Sequence, residues 1–217
     1  MVDTRTWNVV NEICRDRWVF CSACSNTGTH IAVGGICSKV DLFEISNWNS
    51  GKSIEFNDSI VLDAKWHPED KYLSLVGQSN KVRVVDIYQS YRINKECIHF
   101  FSGTLDLAMS PDEKYMAVGK DDGIVSFIDR VSMQSQPEII YEVVVAGGSN
   151  VDRLAIQWSV DSSLVAIGNE NLVTIYEASD FNVKKSRFVK SRFTICAMIR
   201  DIGVVESISF RYVSAYF

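Results

Sequence analysis

An all-β chain made of tandem sheet units is what this sequence predicts, and three observations predict it. One block returns four times along the 217 residues, with steps of 42, 43 and 49 between its first turn residues Ser25, His67, Ser110 and Ser159. Each copy alternates short β-branched runs with Gly, Pro, Asn and Asp, the pattern of strands joined by tight turns. No copy carries the apolar spacing of three and four that an amphipathic helix needs.

The copies are Phe20–Ser46, Leu62–Ile87, Leu105–Arg130 and Leu154–Ser179. Each opens on a leading strand that runs into a turn such as His67-Pro68-Glu69-Asp70 or Ser110-Pro111-Asp112-Glu113. Proline presets φ for such a turn, and Ser and Asp side chains bond back to the local backbone. A second strand follows and closes on Gly35, Gly77, Gly119 or Gly168. A hairpin then leads into a third β-rich strand that ends on an acid, Glu44, Asp86, Asp129 or Glu177. The stretches around Ile93–Phe101 and Ile139–Val145 supply a fourth, outer strand.

A period near 42 with three to four strands per unit is the WD40 pattern of blades in a β-propeller, where each sheet buries its faces against its neighbours. The fold expected is therefore a single partial WD40 β-propeller over residues 1–217, with blade cores at 18–46, 60–87, 104–130 and 152–178. A degenerate fifth unit spans 193–217: its leading strand and turn are present at Ile195–Gly203, but the Gly, hairpin and closing acid are missing after Val205. Two further departures stand out. The Trp of the Trp-Asp pair is replaced by Phe43, Val85, Ile128 and Tyr176, and the preceding Gly-His pair is absent. Apolar packing then has to replace the usual His-centred network. Trp66, Met109 and Trp158 share one leading-strand position and are expected to be buried between blades.

Composition narrows the function classes. Apolar residues make up 47% and charged residues 23%, which is globular and not disordered. No apolar run reaches the length of a bilayer span, and residues 1–17 mix charges with apolar residues, so no signal peptide and no membrane role are expected. The net charge of −5 divides into −10 over residues 1–183 and +5 over residues 184–217. The acidic majority is a poor nucleic-acid surface.

The candidate site residues are few. The sharpest are Lys184, Lys185, Arg187, Lys190 and Arg192 with Phe188 and Phe193 between them, a patch for RNA phosphates or for an acidic subunit, weighed against a solvated outer strand. Cys21 and Cys24 form a lone C-x-x-C in a strand, where residues three apart face opposite ways, so no metal is expected. Asp63, Asp106 and Asp152 recur near the starts of leading strands, as a rim position would, and no catalytic set converges. No enzyme activity, cofactor or small-molecule substrate is expected.

The third copy carries a resemblance. Ser110-Pro111-Asp112, then Ala117-Val118-Gly119-Lys120-Asp121-Asp122 and Val125-Ser126-Phe127-Ile128-Asp129, resembles one blade of the WD40 subunit of the THO complex, part of the TREX assembly for messenger-RNA export. Trp66-His67-Pro68 one blade earlier and Val33-Gly34-Gly35 two blades earlier fall in the same order, and the resemblance covers roughly residues 5–203. It implies a non-enzymatic nuclear scaffold with other protein subunits as partners, with RNA a possible further contact and chiefly an indirect one. It also implies a seven-bladed ring, of which this chain would be an incomplete, truncated member with Thr6–Val10 as a closing strand. The other reading is a generic WD40 adaptor, such as a ubiquitin-ligase receptor or a pore-associated protein.

Overall fold

The computed structural model describes residues 3, 5–14, 16–48, 50–56, 60–78, 80–88, 92–99, 103–129, 138–145, 154–169 and 172–188. The fifth unit expected at 193–217 lies outside these residues, as do Asp152, Lys190 and Arg192. The described residues hold sixteen strands and no helix.

Four antiparallel sheets follow one another, each a four-stranded meander in chain order. Blade 1 is β1 (Val19–Cys24), β2 (His30–Gly35), β3 (Lys39–Glu44) and β4 (Ser50–Glu55). Blade 2 is β5 (Val61–Trp66), β6 (Tyr72–Gly77), β7 (Lys81–Asp86) and β8 (Arg92–His99). Blade 3 is β9 (Thr104–Met109), β10 (Tyr115–Lys120), β11 (Ile124–Asp129) and β12 (Ile139–Val144). Blade 4 is β13 (Leu154–Trp158), β14 (Leu164–Asn169), β15 (Leu172–Glu177) and β16 (Val183–Phe188). The acids Glu44, Asp86, Asp129 and Glu177 each end a third strand, as the repeat predicts.

The blades stack face to face through their leading strands, with β1 against β5, β5 against β9 and β9 against β13. Three apolar clusters fill the seams. Val40, Leu42, Ile54 and Phe56 of blade 1 meet Val61, Trp66, Leu73 and Leu75 of blade 2. Val76 and Val82 of blade 2 meet Leu107, Met116 and Ile128 of blade 3. Ala117, Phe127 and Val143 of blade 3 meet Leu154, Ile156, Trp158 and Tyr176 of blade 4. Gly119 lies in the third seam, where a Cβ would come within 3.0 Å of Leu154 and 3.2 Å of Ile156, so the absence of a side chain lets the strands close.

Two register shifts recur. The leading strand slips against the second strand beside Phe20, Leu62 and Leu105, one residue before Cys21, Asp63 and Asp106. The outer strand slips against the third strand between Leu42 and Phe43, Val84 and Val85, Phe127 and Ile128, and Ile175 and Tyr176. The position that lacks the expected Trp is thus the point where the outer pairing is bulged in every blade. A bulge bends a strand and re-aims the side chain beside it, which matters for Asp63 and Asp106 below.

Trp66 and Trp158 are buried as expected, whereas Met109 is only half-buried and packs at the margin of its seam. The unbranched thioether fills less of the gap than an indole, so equal sequence position does not give equal burial here.

Candidate interaction surface

The turns between first and second strands line up along one rim and share one geometry. The N–H of the fourth turn residue donates to the carbonyl of the first, Gly28 to Ser25 at 3.0 Å, Asp70 to His67 at 2.8 Å, Glu113 to Ser110 at 2.8 Å and Ser162 to Ser159 at 3.0 Å. That fourth residue is left-handed each time, with φ of 68°, 55°, 59° and 60°. The first residue braces the turn. Ser25 Oγ accepts the N–H of Thr29 and His30, Ser110 Oγ that of Tyr115, and Ser159 Oγ that of Leu164. In blade 2 the same place holds His67, whose Nε2 lies 2.8 Å from Ser74 Oγ, so one histidine network does form although the Gly-His pair is absent.

The left-handed backbone aims the fourth side chain backwards at the turn of the preceding blade. Asp70 accepts the N–H of Asn26 and of Thr27, both at 2.7 Å, together with Asn26 Nδ2 at 2.9 Å and Thr27 Oγ1 at 2.7 Å. Burial pushes the Asp70 carboxyl up, but these N–H groups outweigh it and hold it below the usual carboxylate range. Glu113 Oε1 accepts the N–H of Glu69 at 3.3 Å, and Ser162 Oγ accepts that of Asp112 at 2.9 Å. A second backward bond comes from the shared Trp position: Trp66 Nε1 donates to the Ala23 carbonyl at 2.9 Å and Trp158 Nε1 to that of Ala108 at 3.3 Å.

The recurring aspartates reach the other way. Asp63 Oδ2 accepts the N–H of Leu107 at 3.2 Å, and Asp106 Oδ2 that of Ile156 at 2.7 Å, each on the leading strand of the next blade. Burial pushes Asp106 up to about 6 against the pull of the Lys65 charge and of the N–H groups of Ile156 and Leu107. In blade 1 the matching residue is Cys21, and in blade 4 it is Ala155. Asp152 belongs to a different register, three residues earlier in its copy, so the three-fold recurrence read from the sequence reduces to the pair Asp63 and Asp106. Their carboxylates are occupied by backbone bonds across the seams.

The basic stretch is brought together only in part. Lys184 is exposed at the bulge of β16, and its Nζ lies 3.0 Å from Glu177 Oε1 in its own blade, an ion pair open to solvent. Lys185, Arg187 and Phe188 follow along β16 opposite Ile175, Val173 and Leu172 of β15. They therefore lie on an outer strand at the rim, while Lys190 and Arg192 fall outside the described residues. Cys21 is buried and Cys24 exposed, on opposite faces of β1. Among the described residues no three of His, Cys, Asp and Glu converge as a metal-ligand group.

The sequence reading missed two surfaces. Ile139, Ile140, Tyr141 and Val144 expose apolar area along β12. Trp7, Val9, Val10, Trp18 and Val19 do so ahead of and within β1. The signal for the second was present, since Asp3-Thr4-Arg5-Thr6-Trp7-Asn8 repeats the spacing of Glu177-Ala178-Ser179-Asp180-Phe181-Asn182.

No family model matches the chain, and no curated protein does. Solved structures do match in shape. A β-propeller domain of Cps50 (Swd1) from Myceliophteria thermophila is 14% identical with a TM-score of 0.71, over 86% of this chain and 63% of that one. A chain of the mitotic checkpoint complex is 17% identical with a TM-score of 0.74, over 88% of this chain and 57% of that one. A chain of the hydrazine synthase of Kuenenia stuttgartiensis is 21% identical with a TM-score of 0.70, over 84% of this chain and 57% of that one. The chain thus spans 57% to 63% of the length of these three. At such identities the likeness carries the fold alone. The fold is that of a β-propeller, of which the described residues build four consecutive blades.

Proposed function

We propose that the chain is a non-enzymatic scaffold subunit of a nuclear assembly that processes and exports messenger RNA, of the THO/TREX kind, with protein subunits as its direct partners. The observation that carries this reading is the third copy, Ser110–Asp129, whose motif resembles a blade of that family's WD40 subunit. Its turn residues Pro111, Asp112, Lys114 and Asp121 are exposed, where a partner would meet them. The likeness to propeller chains such as that of the mitotic checkpoint complex supports the coarser part, a platform for other proteins. The buried carboxylates support a structural role, since Asp63 and Asp106 serve the seams and Asp70 serves the turn of blade 1.

Affinity purification of the tagged chain from nuclear extract tests this. Recovery of THO subunits in near-stoichiometric amount, insensitive to ribonuclease, is expected. Their absence, with a ubiquitin-ligase or pore-associated set in their place, would move the chain to the generic adaptor class.

A further inference from the structure

Among the described residues each blade ends on an outer strand that pairs along one edge only. Three of these strands carry cations: β4 has Lys52, β8 has Arg92 and Lys95, and β16 has Lys184, Lys185 and Arg187. Such charges keep an unpaired edge from joining another strand. β12 reads Ile139-Ile140-Tyr141-Glu142-Val143-Val144 and has none. The bulge in the outer pairing is common to all four blades, so it does not replace the missing cations.

The free edge of β12 is oriented for pairing. The N–H of Val145 donates to the Gly123 carbonyl at 2.8 Å, and Val143 and Tyr141 face Val125 and Phe127 in the same register. Bonded pairs alternate along an antiparallel ladder, so the N–H and C=O of Glu142 and Val144 turn outward. Val144 is 72% exposed and Ile140 44%. Tyr141 is exposed as well, and it stacks on Phe181 with centroids 5.1 Å apart. Glu142 is anchored on the other face of the strand, where its Oε1 accepts Ser126 Oγ at 2.7 Å and Lys120 Nζ at 3.0 Å. These bonds hold its carboxyl below the usual carboxylate range, so it stays ionised. Lys120 itself is buried, whereas Glu138 and Glu142 are exposed, and Asp121 and Asp122 form the hairpin beside the Val144 end.

We propose that the free edge of β12 is a strand-docking site, on which an extended segment of another protein, with apolar residues alternating with Lys or Arg, adds a strand to blade 3. The added strand bonds to the main chain of Glu142 and Val144, lays its apolar side chains on the Tyr141 face and sets its cations on the Glu142 face. A second copy of this chain fits less well. Antiparallel pairing of two β12 strands would bring Glu138 of each copy toward Asp121 and Asp122 of the other, like charge against like. The connections that flank β12, residues 130–137 and 146–153, reach at most about 30 Å. That is too short to run the roughly 20 Å of β12 and still join the strands they must join. The repeat gives residues 193–217 to a unit that follows blade 4, which leaves the edge of blade 3 outside its place. The proposal deepens the reading of the chain as a platform for other proteins and rests on it.

The test uses a labelled heptapeptide that alternates valine and lysine, with binding to the whole chain read by fluorescence anisotropy. Saturable binding is expected, weakened by about tenfold or more in Val144→Lys and kept in Val144→Thr, both changes at an exposed position. Methylation of alternate backbone nitrogens, which leaves the peptide's charge intact, is expected to abolish binding, as is exchange of its lysines for glutamates. No binding by the parent chain, or equal binding by Val144→Lys or of the methylated peptide, overturns the proposal. Displacement of the probe by a synthetic peptide of residues 189–217 would assign the edge to the chain's own C-terminal residues. A dimer of the unmodified chain that Val144→Lys dissolves would assign it to a second copy. Either result overturns the choice of another protein. THO subunits are absent from this assay, so its failure is separable from a failure of the co-purification above.

Discussion

The seam between blades 1 and 2 and the seam between blades 2 and 3 are built from equivalent positions and held very differently. In the first, an aspartate closes four hydrogen bonds on the preceding turn and an indole adds one to the Ala23 carbonyl. In the second, Oε1 of the longer Glu113 accepts the N–H of Glu69 at 3.3 Å, and Met109 has no donor to offer. Leu107 N–H on Asp63 at 3.2 Å, Thr104 Oγ1 on the Gly77 carbonyl at 3.1 Å and the Lys65 charge acting on Asp106 also cross that seam. The lesson is that a propeller seam is set by one or two side chains at fixed positions. A short carboxylate in a left-handed turn reaches two N–H groups at once, and one more methylene loses that geometry. The apolar clusters differ in the same direction, since Phe56 and Trp66 help to fill the first seam, whereas aliphatic residues and Met116 fill the second.

The largest effect is expected from the shared leading-strand position. Trp66→Ala should destabilise by about 3–5 kcal/mol, since it empties a large buried site and strands the Ala23 carbonyl. Met109→Ala should cost about 1–2 kcal/mol, because the thioether is only half-buried. Chemical denaturation of both variants checks the ratio, and equal losses would erase the distinction between the seams.

Next comes the turn carboxylate. Asp70→Asn keeps the left-handed turn, which Asn tolerates, but removes the charge that faces the amides of Asn26 and Thr27. A loss of about 2 kcal/mol is expected, within the range for a bond to a charged group. Glu113→Gln, whose contact with the Glu69 N–H is long at 3.3 Å, should cost about 0.5 kcal/mol or less. Denaturation midpoints for the pair measure the same contrast without touching the apolar cores.

The two seam aspartates should also give opposite pH slopes. Asp70 titrates below its unfolded value, so its contribution is present above that value and is lost as the pH falls through the folded one. Asp106 is raised to about 6 by burial. The stability it confers is full below its unfolded value and declines as the pH rises toward about 6. Asp106→Asn removes that decline, so the variant should gain on the parent between pH 4 and 6 and hold a constant gap above. Stability curves against pH for the two proteins decide it, and parallel curves would show that Asp106 titrates normally.

A modest effect of a different kind is expected at Gly28, which in blade 1 takes the place of the side chains that reach back from the other turns. Gly28→Ala should cost about 1 kcal/mol from the left-handed backbone alone, because nothing lies within 4 Å of the added methyl.

How far the sequence led differs by feature. The four meanders were legible because strand alternation and turn residues are local signals, and Ser25, His67, Ser110 and Ser159 mark the same corner each time. The backward bonds were not, since Asp70, Glu113 and Ser162 are ordinary turn residues until the left-handed φ shows where they point. The basic stretch was legible as charge, but the bulge that turns Lys184 toward Glu177 is a matter of register. The aspartate series misled by counting Asp152, because chemical similarity outweighed a three-residue offset. The N-terminal segment was legible only as a closing strand, Thr6–Val10; its corner, Asp-x-x-x-Trp-Asn, was not, since a lone copy of a turn has no strands around it to announce it.

The central claim, that single side chains from the following blade set the strength of each seam, is tested most directly by hydrogen exchange at the turn amides. The amides of Asn26 and Thr27, held at 2.7 Å by Asp70, should exchange far more slowly than that of Glu69, held at 3.3 Å by Glu113. In Asp70→Asn the three should become alike. Equal rates in the unmodified chain, or slow exchange at Asn26 and Thr27 that survives the substitution, would contradict the account.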